Sequence, residues 1–279
     1  MSDIFTTADG LALARRDWPA AGAARGTVLL VHGLGEHAGR YEHLAARLAA
    51  QGWRVVGYDQ RGHGASPGAR GALPDGEALL RDLAAVIDAV RAERPGPLVL
   101  LGHSMGGLVA ARFVAEGLRT PAAAWSRPVD ALVLSSPALA ADTSAGQKLL
   151  LATLGGIAPN LAVNNGLKPA WISRDAAVVA AYVADARVHD RITPRLARFI
   201  LDGGALVRRL APLWRVPTLL LWAGADRCVA PRGSAEFAAA APAGMVQAQD
   251  FPALYHEIFN EPERDAVIER LTGWLARVG

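Results

Sequence analysis

The chain has 279 residues, 52% of them hydrophobic and 20% charged, which excludes a disordered or fibrous protein and suits one α/β domain that carries an insertion. Its net charge of +3 comes from charges dispersed along the chain, so we expect no nucleic-acid partner. A single cysteine, Cys228, excludes a disulfide within the chain and fits a reducing compartment.

The N-terminal stretch MSDIFTTADGLALARRDWP lacks the basic-then-apolar pattern of a secretion signal, so the sequence predicts a cytoplasmic protein. The most apolar long stretch, LLLATLGGIA at 149–158, is shorter than the ~20 residues of a membrane-spanning helix. We therefore expect no membrane span. Peripheral contact with a membrane surface, made through an inserted cap, stays open.

Four apolar runs, separated by helical segments, predict strands that are buried on both faces of a parallel sheet. They are TVLLVHG (27–33), WRVVGYD (53–59), LVLLGHS (98–104) and ALVLSSP (131–137). Between the second and the third, EALLRDLAAVIDAVRAE carries apolar side chains on one face at helical spacing. This alternation is typical of a doubly wound, mostly parallel sheet in an α/β protein.

The alternation of strand and helix breaks after residue 137, and we interpret 138–212 as an inserted helical cap or lid. A strand at 217–226, a weaker strand at 246–251 and an amphipathic helix at 263–278 then complete the pattern. The sequence thus predicts a core formed by 1–137 and 213–279. Ligands of such sheets bind beyond the carboxyl ends of the strands.

A serine stands where one of these strands meets a helix. The segment Gly102-His103-Ser104-Met105-Gly106 matches the pattern G-x-S-x-G, between a buried strand and an apolar helix. So sharp a turn strains the serine backbone and leaves no room for side chains two residues away, which requires glycine there. We interpret Ser104 as a nucleophile rather than an incidental residue of a glycine-rich turn.

Serine needs a base to remove its proton and an acid to orient that base. In this architecture the acid and then the histidine follow the serine along the chain. Asp226 ends a predicted strand, and His256 lies between the last strand and the terminal helix, so both can reach the edge that carries Ser104. We rank them ahead of other acidic and histidine candidates: Asp190, Asp202, Asp250, His63, His103 and His189.

Acyl transfer also needs hydrogen-bond donors for the oxyanion. In this architecture they are the backbone amide after the nucleophile and an amide of the loop after the first core strand. These positions are Met105 and Leu34. The chain has no histidine or cysteine spacing for zinc and no phosphate loop, so we expect neither a metal nor a cofactor.

The chain resembles the α/β-hydrolase family, and within it the monoacylglycerol lipase and lysophospholipase branch. Five motifs carry this resemblance: HGLGEHAGRY (32–41), GYDQRGHGAS (57–66), GHSMGG (102–107), GADRCVAP (224–231) and YHEIFNEPERDAV (255–267). It implies a serine carboxylester hydrolase that cleaves a lipid ester, a monoacylglycerol, to fatty acid and glycerol through an acyl-enzyme. The acyl chain is expected to lie in an apolar tunnel under the cap.

The resemblance also implies that Glu36 and Arg40 lie near the glycerol moiety, although a plain salt bridge between them is an alternative. A lysophospholipase, a general short-chain carboxylesterase and a small peptidase remain alternative activities on the same fold. A non-catalytic ligand-binding protein is another, because fold does not determine function.

Overall fold

The computed structural model describes residues 3–142 and 155–278. Its central sheet has eight strands, and a further pair forms a separate antiparallel ribbon. In chain order the strands are β1 (Ile4–Thr6), β2 (Ala12–Trp18), β3 (Gly26–Val31), β4 (Trp53–Tyr58), β5 (Leu98–His103), β6 (Ala131–Ser135), β7 (Val163–Asn164), β8 (Arg191–Ile192), β9 (Thr218–Ala223) and β10 (Val246–Phe251). The ribbon consists of β7 and β8.

The strands of the central sheet lie in the order β1-β2-β4-β3-β5-β6-β9-β10. Every neighbouring pair from β4 to β10 is parallel, whereas β2 pairs antiparallel with β4, and β1 with β2. The predicted doubly wound, mostly parallel sheet is confirmed, and each of the six predicted strands occurs in it. The carboxyl ends of the parallel strands therefore meet at one edge.

Helices cover both faces of the sheet. They are α1 (Glu42–Ala50), α2 (Ala78–Glu93), α3 (Met105–Gly117), α5 (Pro194–Leu210), α6 (Arg232–Ala240) and α7 (Arg264–Leu275), whereas α4 (Ala176–Ala184) lies in the segment between β6 and β9 and contributes no buried residue. Side chains of α1 and α7 form the hydrophobic cluster on one face, and those of α2, α3, α5 and α6 contribute to the cluster on the other. Among the described residues, no helix combines the length and the apolar character that crossing a bilayer requires.

Alternate residues of the central strands face opposite sides of the sheet. In β3, Val28 and Leu30 belong to one cluster and Leu29 and Val31 to the other, and all four are buried. Because successive strand side chains point to opposite faces, a strand covered on both faces has few polar positions. This explains why the strands are visible in the sequence as uninterrupted apolar runs.

The antiparallel pair at the N-terminal edge is the part of the sheet that the sequence analysis did not predict. Strand β2 has the sequence ALARRDW, with Arg15, Arg16 and Asp17 only partly buried. It lies between the three-residue edge strand β1 and β4, and it carries charges in place of a long apolar run. Its polar side chains are instead used in ion pairs, such as that of Arg54 on β4 with Asp17.

The chain leaves the sheet after β6 and returns at β9, its parallel neighbour. Between them, α5 packs against α3, where Gly203 lies close to Leu108. The limits 138 and 212 of the cap stay a prediction. Of the apolar stretch at 149–158, residues 149–154 lie outside the described residues.

Candidate active site

The turn that carries Ser104 joins β5 to α3 and is strained. Ser104 has φ 55° and ψ −121°, a region that L-residues rarely adopt. A Cβ on Gly102 would lie 2.5 Å from the carbonyl oxygen of Gly106, and one on Gly106 would lie 2.1 Å from that of Val31. Glycine is therefore required on both sides of the serine, as the sequence predicts.

The structure brings Ser104, His256 and Asp226 together in one chain of hydrogen bonds. The Nε2 atom of His256 lies 2.8 Å from the Oγ of Ser104, and its Nδ1 lies 2.6 Å from the Oδ2 of Asp226. The other carboxylate oxygen accepts hydrogen bonds from the amides of Cys228 (2.7 Å) and Val229 (3.0 Å). With Asp226 so fixed, Nδ1 of His256 donates to it and Nε2 is free to accept the serine proton.

Two buried histidines near the serine differ in their electrostatics. Burial alone would lower the pKa of His256, but the charge and hydrogen bond of Asp226 outweigh it and hold this pKa above its ordinary 6.5. Burial and the neighbouring charge of His256 lower the pKa of His103 to about 3. The ring of His103 packs against that of His256 with centroids 4.7 Å apart, and its Nδ1 lies 3.1 Å from Ser135 Oγ. His103 therefore stays neutral and has a different hydrogen-bond partner.

The other candidates do not join this chain of hydrogen bonds. Asp202 and Asp250 are exposed, and Asp190 pairs with Arg191. His63 and His189 pack ring against ring, with centroids 4.7 Å apart.

The amides of Leu34 and Met105 lie on the two loops that flank Ser104. Among the described residues, neither amide has a hydrogen-bond acceptor, although both residues line cavities that reach the serine. Gly33 allows the first of these loops to approach closely, because a Cβ there would lie 3.2 Å from the Cβ of Ser104. Both amides are thus available to an oxyanion, and this role stays a prediction.

Two cavities meet at Ser104. One, of about 390 Å³, has polar side chains among the apolar ones of its lining, including Glu36, Asn164, Asn165, Lys168, Asp185 and Glu257. The other, of about 520 Å³, is mainly apolar, and its lining includes Ala138, Trp171, Ile192, Ile200, Leu201 and Val229. We call them the polar cavity and the apolar cavity. Ser104 lies where they join, with more polar side chains in the lining on one side than on the other.

The family model described as serine aminopeptidase S33 matches residues 22–263. The chain belongs to the serine aminopeptidase S33 family. The predicted α/β-hydrolase fold and hydrolase class are therefore confirmed.

Relatives of this S33 hydrolase include named lipases. The monoacylglycerol lipase of Mycolicibacterium smegmatis is 35% identical over 97% of this chain and 95% of its own length. An uncharacterized abhydrolase domain-containing protein of Dictyostelium discoideum is 34% identical over 96% of this chain, which spans only 28% of that protein. The crystal structure of the Paleococcus ferrophilus monoacylglycerol lipase gives a TM-score of 0.84 at 34% identity, covering 96% of this chain and 99% of that one. The resemblance to the monoacylglycerol lipase branch is confirmed.

In this S33 hydrolase, Glu36 and Arg40 form the salt bridge that the sequence analysis held as an alternative to glycerol contact. Arg40 Nη1 lies 2.7 Å from Glu36 Oε2. The other oxygen of Glu36 accepts from the amide of Gly33 and the hydroxyl of Tyr41, both at 2.6 Å. Although burial opposes its ionisation, the charge of Arg40 and these hydrogen bonds lower the pKa of Glu36 to about 2. Glu36 lines the polar cavity, and its contact with glycerol stays a prediction.

Several side chains of the site were not predicted from the sequence. Glu257 directly follows the predicted base, and its carboxylate accepts hydrogen bonds from Arg40. The guanidinium of Arg40 also lies 4.7 Å from the ring centroid of Tyr182 on α4. Tyr41 stands in the first motif, where its spacing from Glu36 is a usable signal. For Tyr182 no local pattern exists, because its partner is distant along the chain.

Cys228 lies beside the hydrogen-bonded histidine and aspartate. Within the described part of the chain, Asp226, Cys228 and His256 form the group of potential metal ligands, with ligand atoms within 4.8 Å of one another. Burial raises the pKa of the Cys228 thiol well above its usual range, so the sulfur stays protonated near neutral pH. The histidine and the carboxylate already bind each other, and we assign no metal to this group.

Proposed function

We propose that this protein is a serine carboxylester hydrolase that cleaves monoacylglycerols to fatty acid and glycerol. The observation that carries the proposal is the position of the Ser104–His256–Asp226 hydrogen-bond chain at the junction of the polar and the apolar cavity. An ester of one fatty acid with a small polar alcohol has the same division into an apolar and a polar part.

The geometry supports catalysis through an acyl-enzyme. The Oγ of Ser104 attacks the ester carbonyl carbon while its proton passes to Nε2 of His256, and Asp226 stabilises the resulting imidazolium. The amides of Leu34 and Met105 donate to the oxyanion, and each such donor is worth roughly 10²–10³ in rate. His256 then protonates the departing alcohol, and it later removes a proton from the water that hydrolyses the acyl-enzyme.

The apolar cavity suits the acyl chain. It is bounded by α5 through Ile200 and Leu201, by Trp171, and by Val229 beside the acid of the hydrogen-bond chain. Burying a methylene group stabilises a complex by about 0.8 kcal/mol, so this cavity favours fatty acyl groups over acetyl groups. The same argument makes a general short-chain esterase the less favoured alternative.

The polar cavity suits an uncharged alcohol. Four carboxylates line it, those of Glu36, Asp185, Asp190 and Glu257, and Lys168 is the cationic side chain among its described lining residues. Each carboxylate has an ion-pair partner: Arg40 binds Glu36 and Glu257, Arg187 binds Asp185, and Arg191 binds Asp190. Because these carboxylates are already engaged in ion pairs, the lining favours an uncharged alcohol over a peptide amine, and its described part offers a phosphate the single cation Lys168.

We further propose that the protein works in the cytoplasm and touches membranes peripherally. Support comes from side chains between β6 and β9: Ile157 is 80% exposed, Val183 66% and Leu161 51%. Exposed apolar side chains on this segment, of which Val183 lines the polar cavity, suit contact with a lipid surface. Cosedimentation with phosphatidylcholine vesicles tests this, and Ile157→Ser combined with Val183→Ser is expected to weaken it.

The decisive experiment is hydrolysis by the purified protein of monoacylglycerols, lysophosphatidylcholine, p-nitrophenyl esters and an aminoacyl p-nitroanilide, with Ser104→Ala as the control. We expect the monoacylglycerol to be the preferred substrate. We also expect Ser104→Ala to fold normally and to be inactive. Preference for the lysophospholipid or the anilide would show that the proposed substrate is wrong, but it would be compatible with the proposed mechanism. Turnover by Ser104→Ala would show that Ser104 is not the nucleophile.

A further inference from the structure

The loop that carries the Leu34 amide, residues 33–37, is covered on its outer side by the segment 185–189, which follows α4. We call these the oxyanion loop and the cap segment. The amide of His189 donates to the carbonyl oxygen of Gly35 at 2.8 Å. Gly35 has φ +76°, and a Cβ there would lie 2.2 Å from the carbonyl oxygen of His189. The two backbones are thus in direct contact next to Leu34.

A side-chain bridge joins the same two segments. His37 is buried, and its Nδ1 accepts a hydrogen bond from the amide of Gly39 at 3.1 Å. A neutral imidazole whose Nδ1 accepts carries its proton on Nε2. This Nε2 lies 2.8 Å from Oδ2 of Asp185 and donates to it. The hydrogen-bond pattern therefore requires no charge on His37.

Asp185 is fixed within the cap segment by Arg187. Its carboxylate accepts from the amide of Arg187 at 2.9 Å and from the guanidinium at 3.2 and 3.1 Å. These bonds, together with that from His37, hold the pKa of Asp185 well below its usual range. Because the carboxylate is ionised and held in place, it accepts a strong, charge-assisted hydrogen bond from the imidazole.

The inner side of the oxyanion loop is held by the core. Glu36 accepts from the amide of Gly33 at 2.6 Å, and Glu36 is itself bound by Arg40 and Tyr41. Leu34 consequently lies between one anchor in the core and one in the cap segment. A donor amide works only when it points at the position that the oxyanion will occupy.

We propose that Asp185 and His37 are positioning residues, which join the cap segment to the oxyanion loop so that the cap orients the Leu34 amide for the transition state. This inference rests on the proposed acyl transfer. It adds that the orientation of the oxyanion donor depends on a contact with the cap segment. The two residues of that contact, His37 and Asp185, are 148 residues apart in sequence.

The test measures transition-state binding apart from occupancy of the cavities. An alkyl trifluoromethyl ketone adds to the serine and forms an oxyanion, whereas the matching secondary alcohol fills the same space without doing so. For Asp185→Ala we expect kcat/KM for a p-nitrophenyl ester and affinity for the trifluoromethyl ketone to fall together, by roughly 10- to 100-fold. Affinity for the alcohol should change less than about 2-fold.

Two further variants keep the test decisive. Asp190→Ala removes the same charge from the same cavity, but its partners Arg191 and Asn164 do not belong to the oxyanion loop. It should leave the ratio of ketone to alcohol affinity unchanged. His37→Asn retains an acceptor for the Gly39 amide but is too short to reach Asp185, and it should reproduce the loss seen in Asp185→Ala.

The proposal is overturned if Asp185→Ala weakens both ligands equally, or if Asp190→Ala changes the ratio as much. Failure of the proposed function would look different. In that case the unaltered protein would not hydrolyse monoacylglycerols. The kcat/KM values of the variants for the p-nitrophenyl ester could still be compared, so the role of Asp185 and His37 would still be tested.

Discussion

Arg40 forms a two-pronged ion pair with Glu257, the residue after His256, with Nη1–Oε1 and Nη2–Oε2 distances of 2.5 and 2.7 Å. Because Arg40 also binds Glu36, one guanidinium joins the loop of the proposed base, His256, to the loop of the proposed oxyanion donor, Leu34. A planar guanidinium can serve both carboxylates, which an ammonium group cannot do in the same geometry.

Removing this guanidinium should destabilise the protein. Arg40→Ala leaves the buried carboxylates of Glu36 and Glu257 without a counter-charge, so the free energy of unfolding should fall by about 3 kcal/mol. Urea titration measures the change. The matched control is Arg47→Ala, whose ion pair with Asp265 is 44% and 67% exposed and should contribute less than about 1 kcal/mol. Equal losses in the two variants would contradict the prediction.

The strained backbone of Ser104 predicts a difference between two inactive variants. Glycine adopts the φ of 55° without strain, whereas alanine, like serine, adopts it only at a cost in free energy. Ser104→Gly should therefore be more stable than Ser104→Ala by about 1 kcal/mol, after allowing for the larger unfolded-state entropy of glycine. Thermal and urea unfolding of both variants checks this, and a less stable glycine variant would show that the turn holds little strain.

The pH dependence of kcat/KM should report His256. Only neutral imidazole accepts the serine proton, and Asp226 holds the pKa of His256 above 6.5, so activity should disappear as the pH falls through a value above 6.5. In Asp226→Asn, burial remains and the charge is gone. The acidic limb should therefore move to lower pH, and kcat should fall by roughly 10⁴-fold. An unmoved limb would mean that another group controls the profile.

A Cβ at Gly35 should disturb the active site, whereas one at Gly244 should not. Both glycines have positive φ, +76° and +82°, but only Gly35 faces a backbone carbonyl, while a Cβ on Gly244 meets nothing within 4 Å. Gly35→Ala should reduce kcat/KM by at least roughly 10-fold, because the oxyanion loop must move. Gly244→Ala should cost about 1 kcal/mol of stability and leave kcat/KM unchanged. Indistinguishable kinetics would argue against the close contact with His189.

The fold and the hydrogen-bonded trio were accessible from sequence because their signals are local. Strands buried on both faces are visible as apolar runs, and Ser104 and Asp226 each stand just beyond such a run, whereas His256 lies between the weaker last strand and the terminal helix. Parallel topology then brings these ends to one edge. The N-terminal edge pair escaped prediction because β2 mixes charged and apolar residues without an extended apolar run.

The supporting contacts of the site could not be read from sequence. Arg40 and Glu257 are 217 residues apart, and His37 and Asp185 are 148 apart, so no spacing rule connects them. The i,i+4 pair of Glu36 and Arg40 was visible, but its buried partners were not. Such contacts depend on how loops from different strands meet, which local periodicity does not encode.

The meeting of two cavities at one serine also sets the order in which products depart. In the proposed mechanism, the acyl group is still covalently held on Ser104 after the first half-reaction, with its chain in the apolar cavity. Only the polar side has been vacated, so the alcohol leaves first and the fatty acid second, in a ping-pong sequence. Water enters where the alcohol was, and any small alcohol that fits the same space competes with it. The architecture that hydrolyses an ester is therefore equally arranged to exchange one alcohol for another.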